Sequence, residues 1–239
     1  MRSYRGAPKG AINPIMIKPI NEYMSLRTGT ALLTSVVAWA ALALQLVLIV
    51  ERMTTDGATI SAAIWRLLGF FTILTNLAVA AVATAMARWP NSSLAGPRVQ
   101  LATAAAITLV GIVYSLALRA IWKPTGWQAV ADHALHDATP ILFLASWALA
   151  RHGHLTLRDA LWAAVGPLIY CFYAMARGAL DGWYAYWFLD PTALAAGQIL
   201  KNLLMLVVLL VAIAVLLVAV DRWLGRSAFK SATDGGRPG

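Results

Sequence analysis

The sequence contains very little cysteine and very little charge. Its one cysteine, Cys171, lies inside an apolar run of the 239-residue chain. A single thiol excludes a disulfide framework within the chain and a zinc site built from several cysteines. Charged residues make up 12% of the sequence, whereas a soluble domain has about 25%. Because 60% of the residues are also hydrophobic, the composition excludes an ordinary soluble domain and favours an integral membrane protein.

Long apolar runs account for this composition. About 20 apolar residues cross the roughly 30 Å hydrocarbon core of a bilayer. The sequence therefore predicts an all-α polytopic membrane protein, a bundle of six transmembrane helices joined by short connections. Its predicted parts are a basic segment at 1–30, the six-helix domain at 31–224 and a flexible tail at 225–239. The six predicted spans are approximately 31–51, 66–88, 100–122, 132–150, 159–179 and 196–222.

Lys and Arg are distributed unevenly between the two sides of the predicted bundle. Thirteen of the 19 fall in the N-terminal segment, the second and fourth connections and the tail, and six fall on the other side. Cytoplasmic loops carry the excess of Lys and Arg, so both termini are predicted to be cytoplasmic, in an inner or plasma membrane. This topology also accounts for the net charge of +9. The predicted partners are membrane lipids, and no nucleic acid.

Polar residues cluster at the predicted outer ends of the spans, while the cytoplasmic halves read as almost purely apolar. Ionisable residues within a membrane are costly and usually face an interior cavity, so this layer predicts a site. Thr72 and His136 lie one to two turns below their helix starts and are expected at similar depth. The candidate residues are Thr72, Asn76, Asp132, His133, His136, Asp137, Tyr170, Tyr173, Arg177 and Lys201.

The two histidines of the fourth span are compatible with three chemistries. His133 and His136, with Asp132 or Asp137, form a metal-site pattern, although zinc needs a further well-placed ligand. Haem would need axial ligands from facing helices, and every histidine within a predicted span lies on the fourth. The third chemistry is general base catalysis on a hydroxyl from another helix, such as Thr72. Spacing alone does not choose among them, and no metal or cofactor is predicted.

Several of these residues also have simpler interpretations. Asp132 and His133 would serve to start the helix at the membrane interface. Arg177 and Lys201 would either hold a carboxylate or extend to the outer surface. The aromatic run "WYAYWF", 183–188, is typical of an interfacial belt, or of the mouth of a lipid-sized pocket.

Four short motifs carry a resemblance to a known family. They are "FFTILTN" (70–76), "HALHDATP" (133–140), "PLIYCFYAMARG" (167–178) and "YAYWFLDP" (184–191). Together they resemble the six-span Pr6Pr membrane proteins of bacteria. Those proteins are distant relatives of the animal androgen-induced membrane proteins, which hydrolyse fatty acid esters of hydroxy fatty acids. The resemblance covers roughly residues 60–210.

The resemblance implies a threonine-dependent hydrolase of lipid esters, with a fatty-acyl ester as substrate. Thr72 in "FFTI" corresponds to the family's nucleophile, and His136 in "HALH" corresponds to its base. In such a mechanism Asp132 or Asp137 would orient the histidine, and Asn76 would stabilise the oxyanion.

Four further residues have expected roles at the rim of this site. Arg177 or Lys201 would pair with a fatty-acid carboxylate, beside Tyr170 and Tyr173.

The alternative function is that of a non-enzymatic membrane protein. It would use the same polar cavity for lipid or small-molecule binding, transport or metal sensing.

Overall fold

A computed structural model describes residues 14–150 and 152–234, and all regular secondary structure within them is helical. Residues 1–13 of the predicted basic segment and 235–239 of the predicted tail lie outside the described residues. The long first helix already begins at Pro14. The helices are α1 (Pro14–Thr55), α2 (Ile60–Leu67), α3 (Phe71–Arg88), α4 (Pro97–Val113), α5 (Gly126–His133), α6 (Thr139–Ala148), α7 (Leu157–Ala163), α8 (Val165–Asp181) and α9 (Ala196–Asp234).

Among the described residues, five stretches of helix are long and apolar enough to cross a membrane. The all-helical fold is confirmed by the absence of strands from the same residues, and the long apolar helices indicate a multi-pass membrane protein. The second predicted span begins at Phe71 and not at residue 66, because α2 ends at Leu67 and the chain turns before α3. The five stretches are Ser25–Thr55, Phe71–Arg88, Pro97–Leu118, Leu157–Asp181 and Ala196–Arg226.

The fourth predicted span is a continuous helix of mixed type. It runs through α5, a π-helical turn at Ala134–Ala138 and α6, from Gly126 to Ala148. Its first half carries two aspartates and two histidines, so it is less apolar than the five stretches above. A second π-helical turn, Tyr114–Leu118, extends α4 at the same end of the bundle. Such turns are rare and occur frequently at functional sites.

Small residues hold the bundle together at its centre. α4 packs against α3, α6, α7 and α9, and α1 packs against α3 and α6. Apolar lipid gives helices little hydrophobic reason to associate, so close packing of small side chains matters most. The outward surface carries large apolar side chains such as Phe172 and Leu180, as a lipid-facing surface would. Fully buried alanines at the helix contacts include Ala80, Ala83, Ala104, Ala105 and Ala214.

The sequence predicts an almost purely apolar cytoplasmic half for the spans. The end of the bundle remote from Thr72 nevertheless contains a buried acid. Asp221 on α9 is 1% exposed. Its carboxylate accepts hydrogen bonds from the backbone N–H groups of Gly153 (3.1 Å) and Leu155 (3.0 Å) and contacts His152 Nδ1 at 2.9 Å. It therefore ties the connection before α7 to α9. Hydropathy could not predict this, because the partners are mostly backbone groups.

Asp221→Ala is expected to destabilise the protein by about 2 kcal/mol, since it leaves buried backbone donors without an acceptor. Thermal unfolding in detergent measures the effect. Asp56→Ala is the matched control, because Asp56 is exposed on the connection after α1. Equal melting temperatures for the two variants would contradict the anchoring role.

Candidate functional site

Thr72 and His136 meet within the bundle although they are 64 residues apart. The Thr72 Oγ1 atom lies 3.2 Å from Nε2 of His136. Thr72 is the second residue of α3, and His136 lies in the π-helical turn between α5 and α6. The end of the bundle where α3 begins and α4 ends thus brings together the two residues predicted to form a nucleophile and base.

The surroundings of His136 determine its protonation pattern. Its Nδ1 atom lies 2.9 Å from the Asp132 carbonyl oxygen and 3.3 Å from Oδ1 of the same residue. Both of these atoms accept hydrogen bonds, so in the neutral ring Nδ1 carries the proton. The unprotonated Nε2 then faces the Thr72 hydroxyl. This is the arrangement that a general base requires.

Asp132 is held by donors from other parts of the chain. It is 4% exposed and accepts hydrogen bonds from the Tyr114 hydroxyl and from Nε1 of Trp122, the latter at 3.2 Å. The Tyr114 ring also stacks on His136, with centroids 4.0 Å apart and planes 17° from parallel. Asp132 therefore orients His136, a role expected of Asp132 or Asp137. Starting a helix at the membrane interface is not its only role.

Asn76 has a different role from the predicted one. It is fully buried, and its Nδ2 donates to the carbonyl oxygens of Thr72 (2.8 Å) and Leu135 (3.2 Å). Its amide hydrogens are thus engaged with backbone and are not directed at an oxyanion. Asn76 instead joins α3 to the π-helical turn that carries His136.

Tyr186 is a site residue that the sequence analysis missed. The backbone N–H of Thr72 donates to its hydroxyl oxygen at 3.4 Å, and the hydroxyl keeps a hydrogen of its own to donate. Burial raises the pKa of Tyr186 above its ordinary value, so the phenol stays neutral. Tyr186 belongs to the aromatic run 183–188, for which the sequence predicts either an interfacial belt or the mouth of a pocket. Of these two interpretations, only the pocket mouth places the run near the site.

Two cavities meet at Thr72. The larger, called here the polar cavity, has a volume of about 380 Å³ and includes Gln45, Thr72, Trp122, Gln128, Asp132 and His136 in its wall. The smaller, called the apolar cavity, measures about 60 Å³ and reaches Leu109, Val113, Cys171, Leu206 and Leu210. Residues that line both are Thr72, Tyr114, Leu118 and Tyr186. The hydroxyl of Thr72 thus stands between a polar and an apolar compartment.

His133 and Asp137 lie at the rim and outside both cavities. His133 Nδ1 contacts Asp137 Oδ2 at 2.8 Å, and Arg119 pairs with the other oxygen of Asp137. The ring of His133 therefore faces away from His136, and the two do not share a metal-site geometry. Among the side chains that the structure describes, those of 25–150 and 152–226, no three His, Cys, Asp or Glu converge as metal ligands would.

The predicted carboxylate-binding residues form a structural clamp instead. Arg177 is 3% exposed; its guanidinium lies 4.1 Å from the Trp65 ring centroid, and its Nε donates to Asp181 at 3.3 Å. Tyr170 and Tyr173 donate to the carbonyl oxygens of Gly69 (2.9 Å) and Leu68 (3.2 Å). These contacts hold the turn between α2 and α3, from which Thr72 follows directly.

Lys201 does not join this group. Its side chain is exposed on α9, and it lines neither cavity. Asn202 beside it donates to the Phe188 carbonyl oxygen at 2.8 Å. The polar start of α9 thus supports the 187–189 turn, and the sixth predicted span contributes no polar group to the cavity walls.

No family model, curated protein or solved structure matches this chain. The resemblance to the Pr6Pr proteins therefore stays a prediction. The functional interpretation rests on the geometry of the described residues.

The clamp makes Gly69 sensitive to substitution. A Cβ atom at this position would lie 2.6 Å from the Trp183 ring and 2.7 Å from Arg177 Nη1, so Gly69→Ala must displace the clamp. We expect a loss of about 1–3 kcal/mol of stability, typical of overpacking. Gly166→Ala is the matched control, since a Cβ there meets nothing within 4 Å. Thermal unfolding of both variants in detergent checks this, and unchanged stability of Gly69→Ala would show that the clamp is loose.

Proposed function

We propose that this protein hydrolyses lipid esters within the membrane, with Thr72 as nucleophile and His136 as general base. The observation that carries the proposal is the 3.2 Å approach of Thr72 Oγ1 to His136 Nε2, beside an oriented Asp132 and between two cavities. A hydroxyl is a weak nucleophile until a base accepts its proton. The Pr6Pr-like motifs agree with this assignment.

In the proposed reaction, Thr72 Oγ1 attacks the ester carbonyl carbon while His136 Nε2 takes the hydroxyl proton. The resulting oxyanion collapses, the bond to the alcohol oxygen breaks, and His136 donates its proton to the departing alcohol. A water then attacks the acyl-threonine and gives a proton to His136. Collapse of this second intermediate releases the fatty acid and returns the proton to Thr72.

Each neighbour of the pair has a defined contribution to this reaction. Asp132 keeps the proton of His136 on Nδ1 and stabilises the imidazolium that forms. Tyr114 holds Asp132 and packs flat against the imidazole. Tyr186 replaces Asn76 as the proposed oxyanion donor, because its neutral hydroxyl lies at the Thr72 backbone and its proton is retained.

The topology proposed with this function has six spans and cytoplasmic termini, in an inner or plasma membrane. The continuous helix from Gly126 to Ala148 would be the sixth crossing, fourth in chain order. The excess of Lys and Arg on the side of the chain termini supports this orientation. The site would then lie near the outer surface.

A second candidate function is lipid binding without chemistry. The observation in its favour is the apolar cavity, whose wall consists mainly of Leu, Val and aromatic side chains. A buried apolar pocket is sufficient for binding, and no proton transfer is then needed. Both functions use the same cavities and differ in whether the Thr72–His136 pair reacts.

Ester hydrolysis by the purified full-length chain distinguishes them. We expect turnover of a long-chain ester that falls at least about 100-fold in Thr72→Ala and in His136→Ala, because a positioned base contributes that much. Thr72→Ser keeps a hydroxyl and should retain measurable turnover. The matched controls are Thr108→Ala, whose hydroxyl bonds only within its own helix, and His154→Ala, which is exposed at the remote end.

The outcomes separate the two functions. Loss of turnover in both site variants, with both controls active, supports the hydrolase. Turnover that survives in either site variant, or no turnover with any ester, would overturn the enzymatic role. Fatty-acid binding that persists under those conditions would favour the second candidate.

A further inference from the structure

The charge of the polar cavity restricts what it can accept. Among its lining residues there is one carboxylate, Asp132, and neither Lys nor Arg. The apolar cavity is lined by no charged residue. The ligand-facing surface around Thr72 is therefore net negative when His136 is neutral. A second carboxylate brought beside Asp132 would be repelled by it, and no Lys or Arg side chain in the wall of either cavity would offset that repulsion.

Two arginines near the site are held by other side chains. Arg119 pairs with Asp137 on the rim, and its guanidinium lies 4.9 Å from the Tyr114 ring centroid. Arg177 is buried in the clamp, between the Trp65 and Trp183 rings and beside Asp181. Neither arginine lines either cavity, so neither forms part of the wall around Thr72.

The polar groups that do face this space suit an uncharged hydroxyl-bearing ligand. Gln128 Nε2 donates to Gln45 Oε1 at 2.8 Å, and both amides line the polar cavity. The pair leaves the Gln45 amide hydrogens and the Gln128 carbonyl oxygen for a ligand. A primary amide can both donate to and accept from a hydroxyl group, whereas it cannot neutralise an anion.

We propose that this site selects esters whose alcohol part is uncharged and hydroxyl-bearing, and discriminates against esters whose alcohol part carries a free carboxylate. The first carbons of the acyl chain enter the apolar cavity, the ester carbonyl lies at Thr72, and the alcohol part contacts Gln45 and Gln128. Partial glycerides have this chemistry. The inference rests on the proposed function, and it departs from the hydroxy-fatty-acid esters that the sequence resemblance implied.

A pair of isosteric substrates tests the selectivity. A hydroxyoctadecanoic acid acylated on its hydroxyl is compared with the primary amide of the same compound, which differs only in the loss of the negative charge. A monoacylglycerol serves as the uncharged hydroxyl-bearing substrate. We expect kcat/KM of the amide and the glyceride to exceed that of the acid by about tenfold or more, given one like charge nearby. Equal or faster turnover of the acid would overturn the proposal.

Substitutions at Gln128 provide a second test, in which an added cation should reverse the preference for the uncharged substrate. Gln128→Lys places a cation at the polar cavity and should move the amide-to-acid ratio of kcat/KM towards one or below it. Gln128→Met, similar in length and uncharged, is the matched control and should shift this ratio far less than Gln128→Lys does. A ratio that Gln128→Lys leaves unchanged would show that the alcohol part does not reach this region.

Binding separates failure of this inference from failure of the hydrolase. The ether analogues of the acid and of the amide, in which a CH₂ replaces the ester carbonyl, cannot be hydrolysed. Their dissociation constants are measured by calorimetry with the full chain in detergent micelles. Tighter binding of the amide without ester turnover would overturn the enzyme and support the charge selectivity. Equal affinity would overturn the selectivity whether or not esters are hydrolysed.

Discussion

The need to satisfy one buried carboxylate organises this site. Asp132 lies among apolar helices, where an ionised group without donors is strongly destabilising. Its donors come from the end of α4, from the connection that follows and from the next turn of its own helix. Satisfying Asp132 therefore fixes Tyr114, Trp122 and His136 relative to one another. The same contacts leave His136 Nε2 as an acceptor facing Thr72.

The rest of the fold keeps Thr72 at the correct distance from that histidine. Thr72 follows directly after the turn between α2 and α3, and this turn is held by hydrogen bonds from Tyr170 and Tyr173. Asn76, one helical turn further on, bonds to the backbone of the π-helical turn. Thr72 and His136 are thus positioned by two sets of contacts, which Asn76 joins through its hydrogen bonds to the carbonyl oxygens of Thr72 and Leu135. Such preorganisation lowers the cost of reaching a reactive geometry.

Some of this arrangement was predictable from the sequence, for clear physical reasons. Thr72 and His136 were selected because polar groups in apolar helices must share a depth and an interior, and the structure brings them together. The helical fold followed from the apolar runs. The precise start of α3 did not, since hydropathy cannot distinguish the short helix α2 from the span that follows it.

Other features depended on contacts that no local pattern encodes. Tyr186 reaches Thr72 only because the connection between α8 and α9 folds back over the bundle, and its aromatic neighbours suggested a membrane interface. Arg177 resembled a ligand-binding cation. Its partner Asp181 is four residues away on the same helix, but the Trp65 and Trp183 rings that it contacts lie outside α8 and share no helical period with it. The position of the site was therefore predictable from charge and helical periodicity. The side chains that donate hydrogen bonds within it were identified only from the three-dimensional structure.

The reactivity of Thr72 is the central claim, and covalent labelling tests it most directly. The purified chain is incubated with a long-chain fluorophosphonate, which phosphonylates activated hydroxyl nucleophiles with loss of fluoride, and the modified residue is located by mass spectrometry of peptides. We expect a single adduct on Thr72 that is absent when the His136→Ala variant is treated in the same way. No adduct on Thr72, or an adduct that forms equally well without His136, would show that His136 does not activate Thr72.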